Sequence, residues 1–563
     1  MKAKPDLGFW KLWNLSFGFF GVQIAYALQS SQVSRIFSTI GADPHDLSFF
    51  WILPPLMGMI VQPIVGSASD RTWNRFGRRL PYLIIGAAVA IIVMALLPNS
   101  GSLGLGLTPT WFFGFSSAII FGLVMLMLLD TSINMAMQPI KMLVCDMVNE
   151  KQKGLAYSIQ SFLCNAGSVV GYLLPFGLAM FLSGTAPAGE VPATVTVAFY
   201  IGAAILLLCV LYSFWKIKEW PPHIYNEYNG VEEKPAGEQK SEGLVTLLRK
   251  APKVFWTVGL VQFFCWAAFL YMWSYSTDAI AAHSFGAPTV QSVNAVKAGD
   301  KTYPLSKAYL FDGQTLLVDH GRFTDAVTPN ADGSIPVIES GSFTYAKLAS
   351  KDQTTGEYFL SETEEINVTG LSQLDVEYRT TLNAASEQYQ EAGNWNGVLL
   401  AVQGVIAVLW AIVLPMFRRR RVAYSLSLLI GAVGFLSIFF FTNKYMLCIS
   451  YGLAGIAWAA MLAMPFTILT NALSGNNIGT YLGLFNCTIC FPQIIAALVG
   501  GAVLSLFPVA ASGAAMTVNM LYVSGILLVL GALSVWIVKE TYGNQKVTDE
   551  AMAEAENLPG AEI

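Results

Sequence analysis

The chain has 563 residues, 54% of them hydrophobic and only 12% charged. A soluble domain carries about 25% charged residues, so this composition excludes a large soluble enzyme and points to lipid as the main solvent. The net charge of −4 is uneven, because residues 281–395 hold fifteen acidic and seven basic side chains, which sets that segment apart.

An apolar stretch of about 20 residues crosses a bilayer as a helix. Hydropathy predicts twelve, near 10–34, 47–68, 80–98, 111–145, 154–183, 195–216, 254–280, 396–417, 422–442, 445–473, 479–507 and 514–538. The first carries Asn14, Gln23 and Gln29 and lacks a compact apolar core followed by a small-residue cleavage site. It is expected to be a retained helix rather than a signal peptide. After the second comes GSASDRTWNRFGRR, residues 66–79, whose four arginines and aspartate belong at an interface. Basic residues collect in alternate loops. Lys2, Lys4, Lys11, the 66–79 run, Lys151, Lys153, the 216–253 stretch, the arginines at 418–421, Lys539 and Lys546 fall on one side, and Arg35 and Lys444 in short loops on the other. The positive-inside rule then puts both termini in the cytoplasm.

The polar stretch 217–253 divides the helices six and six, as a linker between a 1–216 bundle and a second bundle. That second bundle takes 254–280 as its first helix and 396–538 as the rest, followed by a tail at 539–563. Between them, 281–395 shows short alternating segments (TLLVDHG, SIPVIES, GEYFL, LDVEYRT) broken by Gly, Pro, Asp and Asn. This pattern predicts a small β-rich extracytoplasmic insert. Its role as a cap, a folding accessory or a partner-binding domain stays open. The expected fold class is therefore an all-α membrane protein of twelve transmembrane helices in two six-helix bundles, with that insert. Cys487 and Cys490 have CxxC spacing, but within an apolar run they read as small buried residues. The sequence offers no metal cluster, nucleophile constellation or phosphate loop, so neither an enzyme nor a cofactor is expected.

Charges inside a spanning helix mark cavities or pairing sites. Asp130 stands in the fourth stretch after about a dozen apolar residues, and at 100° per residue Asn134, Gln138 and Lys141 share its side of the helix. A carboxylate there can change protonation as a cavity opens to either side, which proton coupling requires; a purely structural carboxylate is the alternative. Lys141 lies about 16 Å along the helix from Asp130, so Asp146 or Asp70 is its expected partner. Further stripes are Gln23 with Tyr26 on the first helix, Gln262 with Trp266 and Trp273 on the seventh, and Asn486 with Gln493 on the eleventh. Aromatic faces beside amides suit sugars, the ring packing on CH faces and the amides bonding hydroxyls. Trp266 is the better platform, since Trp273 nears the helix end. Asp278 falls opposite this face in a straight helix, close to its outer end, and whether it is solvated stays open. In the 66–79 run, Gly66 permits close helix approach, and Asp70, Arg71, Gly77, Arg78 and Arg79 read as conformational machinery whose arginines clamp carboxylates of the opposite bundle in one state.

The GxxxD…GRR pattern resembles the signature of the major facilitator superfamily. Within it the chain resembles the sucrose/proton symporter branch, which includes plant sucrose transporters, animal proton-sugar symporters and bacterial maltose or sucrose transporters. The matching stretches are ALQ at 27–29, FFWILPPLMGMIVQPIVGSASDRTWNRFGRRLPY at 49–82, LLDTSINMAMQPIKMLVCD at 128–146, GIAWAAMLAMPF at 455–466 and GLFNCTICFPQI at 483–494. The resemblance implies alternating access, an α-glucoside bound at midplane and a co-transported proton. It places the family's helix-four aspartate and asparagine on Asp130 and Asn134, and its helix-seven aspartate on Asp278. The helix-four cation, usually arginine there, is Lys141 here.

The expected function is a proton-coupled importer of maltose or sucrose, with the proton as co-substrate. It would work as a monomer in a bacterial inner membrane or a plasma membrane, without nucleic acid. Open alternatives are a cation-independent facilitator, a symporter of another glycoside and a non-transporting sugar sensor.

Overall fold

Four of the helices begin at a side-chain cap that the sequence supplies. The computed structural model describes residues 4–103, 116–182, 190–229, 251–298, 301–304, 309–311, 342–351, 358–367, 375–417, 419–472, 485–510 and 514–538. Helix α1 (Phe9–Thr39) leads through a short α2 (Pro44–Phe50) into α3 (Leu53–Arg71). Asp43 starts α2 by accepting from the His45 amide. The first bundle continues with α4 (Leu80–Leu96), α5 (Ser117–Met147), α6 (Glu150–Leu178) and α7 (Ala193–Lys216). Ser116 caps α5 by accepting from the Ile119 amide, and Asn149 caps α6 by accepting from the Gln152 amide. After α8 (Pro222–Asn229) at the start of the linker, the second bundle comprises α9 (Lys253–His283), α10 (Glu387–Val413), α11 (Arg420–Ile438), α12 (Leu447–Ala472), α13 (Cys487–Leu504) and α14 (Val518–Ser534).

Eleven spans among the described residues are long and apolar enough to cross a membrane, with α2 and most of α3 forming one of them. The expected twelfth, α1, has 31 residues, about 46 Å of helix, but its amides and Arg35 dilute its hydropathy. Those groups face protein, because α1 packs against α5, α6 and α7 of its own bundle and α9 of the other. Its buried polar residues include Gln29, Gln32 and Arg35. Lipid is not its main solvent, so its composition is that of a central helix. Prolines 63, 139, 175, 465 and 492 lie inside α3, α5, α6, α12 and α13. Each removes a backbone donor, which neighbouring helices in a membrane bundle make tolerable.

Between α9 and α10 the described residues include six antiparallel strands, β1 (Thr289–Ala298), β2 (Lys301–Pro304), β3 (Tyr309–Phe311), β4 (Ser342–Lys351), β5 (Tyr358–Asn367) and β6 (Asp375–Leu382). They form two sheets of order β2-β1-β6 and β3-β4-β5. The YFL of GEYFL and the DVEYRT of LDVEYRT fall on β5 and β6, while the rest of these segments and TLLVDHG and SIPVIES lie outside the described residues. The ladder from Thr289↔Leu382 to Lys297↔Asp375 ties the insert directly to the ends of α9 and α10.

The helices reach further than the expected 281–395 boundaries. Helix α9 runs to His283, and α10 begins at Glu387, where Ser386 accepts from the Tyr389 amide as its cap. The stretch EQYQEAGNWN reads as loop because it is polar. Its Tyr389, Gln390, Asn394 and Asn396 are buried in the bundle instead.

The two bundles meet through α2 and α3 against α13, α6 against α10, and α1 against α9 and α10. Toward the insert the approach is close. Phe176 packs edge-on to Trp395 with ring centroids 5.9 Å apart, and a Cβ on Gly397 would collide with the Tyr172 carbonyl oxygen.

Candidate functional site

Helix α5 carries its polar stripe into the protein interior. Asp130 is 1% exposed. Gln29 of α1 donates to its Oδ1 at 2.8 Å, while Oδ2 is buried with no hydrogen-bond partner among the described residues. An ionised carboxylate offers about four acceptor sites, and here one is met. Such a group can meet the deficit by carrying a proton on Oδ2 or by accepting from a ligand hydroxyl. Asn134 donates to the Asp130 carbonyl oxygen at 2.9 Å and accepts from Gln62 Nε2 at 2.7 Å. Half-buried Tyr26 has Asp130, Tyr172 and Cys490 as electrostatic neighbours, which brings α13 of the second bundle to the same place. There Asn486 donates to Cys490 Sγ at 3.8 Å, and Gln493 donates to the Ile489 carbonyl at 3.1 Å. Gln23 and Gln138 are half-buried, the latter 3.9 Å from where a Cβ on Gly66 would stand.

Lys141 is solvent-accessible and lies near Cys164 of α6. The expected pairing with Asp146 does not occur: Asp146 Oδ2 accepts from Arg79 Nε at 2.9 Å and Oδ1 from the Tyr225 hydroxyl at 3.2 Å. The side chains of Asp70 and Arg71 lie outside the described residues.

On the second bundle, Trp266 and Trp273 are both buried, and Gln262 is fully buried, donating to the Met461 carbonyl at 3.4 Å. The open member of this aromatic group is half-buried Trp458 of α12. Its ring centroid lies 5.6 Å from Trp266, 5.0 Å from Phe269 and 5.5 Å from Trp273. Periodicity misses it because an aromatic residue in a wholly apolar run shows no polar contrast. Trp51 of the first bundle stacks on Trp273 at 6.4 Å.

The fold decides one placement that the sequence leaves open and corrects another. Asp278 is not near solvent: it is 3% exposed and accepts from the Tyr389 hydroxyl at 2.6 Å and from Ser38 Oγ at 3.4 Å. A helical wheel of α9 alone cannot show that α1 and α10 cover that side. Arg35 is not in a loop, since α1 continues to Thr39 and buries it.

The 66–79 segment forms a tight turn. Asn74 and Gly77 pair through both backbone bonds at 3.3 and 3.1 Å, and Gly77 has φ +110°, a conformation that favours glycine. Arg79 bonds Asp146 and Ser69. Arg78 stacks over Tyr225 at 4.5 Å. In this state these partners belong to the same bundle and the linker, rather than the opposite bundle. Glu219, just past α7, accepts from the amides of Arg78 (2.9 Å), Arg79 (2.8 Å) and Leu80 (2.8 Å). It thereby closes the start of α4, where three donors would otherwise be orphaned.

Burial pushes the Glu219 carboxyl above its usual range, against the opposing pull of the three amides. A carboxyl raised on folding contributes stability that is fully present below its unfolded pKa and is lost as pH rises through the folded value. Wild type should therefore gain thermal stability relative to Glu219→Gln as pH falls from about 7 to about 4, measured by melting in detergent. Glu219→Ala should cost about 1–3 kcal/mol at any pH in that window.

Residues 36–276 match the profile of the MFS/sugar transport protein family, and residues 378–559 match that of the Major Facilitator Superfamily. The chain belongs to the major facilitator superfamily. It is thus of a transporter family and not an enzyme. Among curated relatives it is 30% identical over 209 residues to the membrane-associated transporter protein of Mus musculus, covering 37% of this chain and 38% of that one. It is 26% identical over 175 residues to the Mus musculus proton-associated sugar transporter A (30% and 22% covered), and 29% identical over 222 residues to sucrose transport protein SUT1 of Oryza sativa subsp. japonica (36% and 39%). The chain thus spans well under half the length of these relatives. Among solved structures, the D-xylose-proton symporter aligns with TM-score 0.55 at 13% identity, covering 95% of this chain and 97% of that one. A bacterial homologue of the lysosomal transporter Spinster aligns with TM-score 0.56 at 13% identity, covering 94% and 96%. These likenesses show the fold alone, a multi-pass arrangement of membrane-spanning helices. Among the described residues no group of His, Cys, Asp or Glu is arranged to hold a metal.

Proposed function

We propose that this protein is a proton-coupled symporter that imports a disaccharide of the maltose or sucrose type by alternating access, in a bacterial inner membrane or plasma membrane. The observation that carries the reading is Asp130, a buried carboxylate with one oxygen held by Gln29 and the other without a partner among the described residues. The printed names of the proton-associated sugar transporter and the sucrose transport protein support the substrate class. In this reading Asp130 and Asp278 handle the proton. Gln23, Tyr26, Asn134, Gln138, Lys141, Asn486 and Gln493 supply donors and acceptors for hydroxyls, and the linker end faces the cytoplasm.

Labelled maltose and sucrose uptake into proteoliposomes, with and without an inward proton gradient, tests this directly. Accumulation only under the gradient is expected. Equilibration indifferent to the gradient would make the protein a facilitator, and transport of a different glycoside alone would overturn the disaccharide assignment.

The aromatic group refines the site. Trp458 offers an accessible ring beside buried Trp266 and Trp273, so it is the platform for a pyranose face and the other two are its support. Loss of one aromatic contact is worth about 1 kcal/mol beyond the buried area. Trp458→Ala should raise the KM for sugar about tenfold once lost apolar area is included, with a smaller change in Trp458→Phe, read from initial uptake rates.

A further inference from the structure

Arg35 is among the largest fully buried side chains of the described residues, at 0% exposure. A guanidinium has five N–H donors, and here five hydrogen bonds engage them. Nε and Nη2 donate to Gln390 Oε1 at 3.0 and 2.5 Å, and Nη2 also donates to the Gln390 carbonyl at 3.1 Å. Nη1 donates to Asn394 Oδ1 at 2.8 Å and to Gln32 Oε1 at 3.1 Å. Every one of these acceptors is neutral, and all but Gln32 belong to α10 of the opposite bundle. A buried cation is tolerable only while its hydrogen bonds are complete, and this set is complete only while the bundles are together. Helix α10 is shaped for it: a Cβ on Gly393 would lie 2.5 Å from Arg35 Nε and 2.6 Å from its Cδ.

Asp278 of α9 is reached by the same two helices. Tyr389, adjacent to Gln390, and Ser38, one turn beyond Arg35, both donate to its Oδ1. One residue before Arg35, Ser34 donates to the Trp273 carbonyl at 3.1 Å. Along α1, then, first-bundle donors meet second-bundle acceptors at Ser34, Arg35 and Ser38. Among the described residues, the other titratable groups facing this network are Tyr275 on α9 and Asp43 between α1 and α2.

We propose that Arg35 is a positioning residue for the proton-linked step. It latches the insert end of the cavity shut and, through Gln390, seats the Tyr389 hydroxyl on Asp278. The carboxylate is then held by protein donors when that end is closed, and is free to bind a proton when opening separates α1 from α10. The link to proton binding rests on the symporter reading; the latch does not.

Two readouts separate these. Ser34 is buried in the seam, so Ser34→Cys should react slowly with a membrane-impermeant maleimide applied from the insert side. Adding Arg35→Gln should speed labelling about tenfold, a shift worth about 1.4 kcal/mol in the closed–open equilibrium. Adding Gly393→Ala, which keeps the guanidinium but removes its space, should act in the same direction. Monodisperse elution of each variant excludes unfolding as the cause. In proteoliposomes, Arg35→Gln should lower the ratio of gradient-driven accumulation to sugar counterflow. Unchanged labelling overturns the latch. Faster labelling with an unchanged ratio overturns the link to Asp278. A wild type that shows no gradient-driven uptake defeats the symporter reading, while labelling still decides the latch.

Discussion

Asp130→Asn should reduce gradient-driven sugar accumulation to simple equilibration. One proton moving down 100 mV supplies about 2.3 kcal/mol, enough to sustain about a fiftyfold sugar gradient. Asparagine is nearly isosteric and keeps an acceptor for the Gln29 amide at the 2.8 Å contact, so the local packing survives. It places an amide where Oδ2 lacks a partner among the described residues, and that amide neither gains nor loses a proton in the working range. The variant should therefore move sugar in both directions, with counterflow retained, and fail to concentrate it. Uptake against counterflow in the same vesicles checks this. Full accumulation in the variant would leave Asp130 a structural carboxylate and put the proton on Asp278.

Which parts of this arrangement are legible in the sequence follows from what each residue contrasts with. Asp130 and Asn134 stand out because polar side chains in an apolar run are rare, and their helical spacing puts them on one side of the helix. The partner of Asp130, Gln29, lies 101 positions away, and no local pattern carries that pairing. Arg35 misleads because it lies one residue past the predicted end of the first span; hydropathy falls there through residues that α1 buries against α10. The same polarity hides the start of α10, where Tyr389, Gln390 and Asn394 face protein. The rotation of α9 alone cannot place Asp278, whose environment is set by two other helices. Trp458 fails the opposite way, as an aromatic residue in a wholly apolar run. Local sequence reports a side chain's polarity, but in a bundle with a polar interior it does not report which solvent that side chain meets.

At the linker end, Arg79→Ala should destabilise the first bundle by about 3 kcal/mol, the lower end of the range for breaking a buried ion pair. Arg79 is 2% exposed and bonds Asp146 Oδ2 at 2.9 Å. The lower end applies because the Asp146 side chain, at 14% exposure, retains some solvent and the Tyr225 hydroxyl. The amide bond from Arg79 to Glu219 is made by backbone and survives the substitution. Arg79→Lys should cost less, since it keeps the charge near Asp146 while losing the fork that also reaches Ser69. In a double-mutant cycle, Arg79→Ala with Asp146→Ala should be less destabilising than the sum of the two, because the double variant leaves no buried charge of this pair without its partner. Melting in detergent measures all four proteins. Arg79 and Asp146 lie in the same bundle, so the loss should appear in stability and folded yield. Labelling of Ser34→Cys at the opposite end should not change. Faster labelling in Arg79→Ala would instead mean that the pair shifts the balance between the two open states.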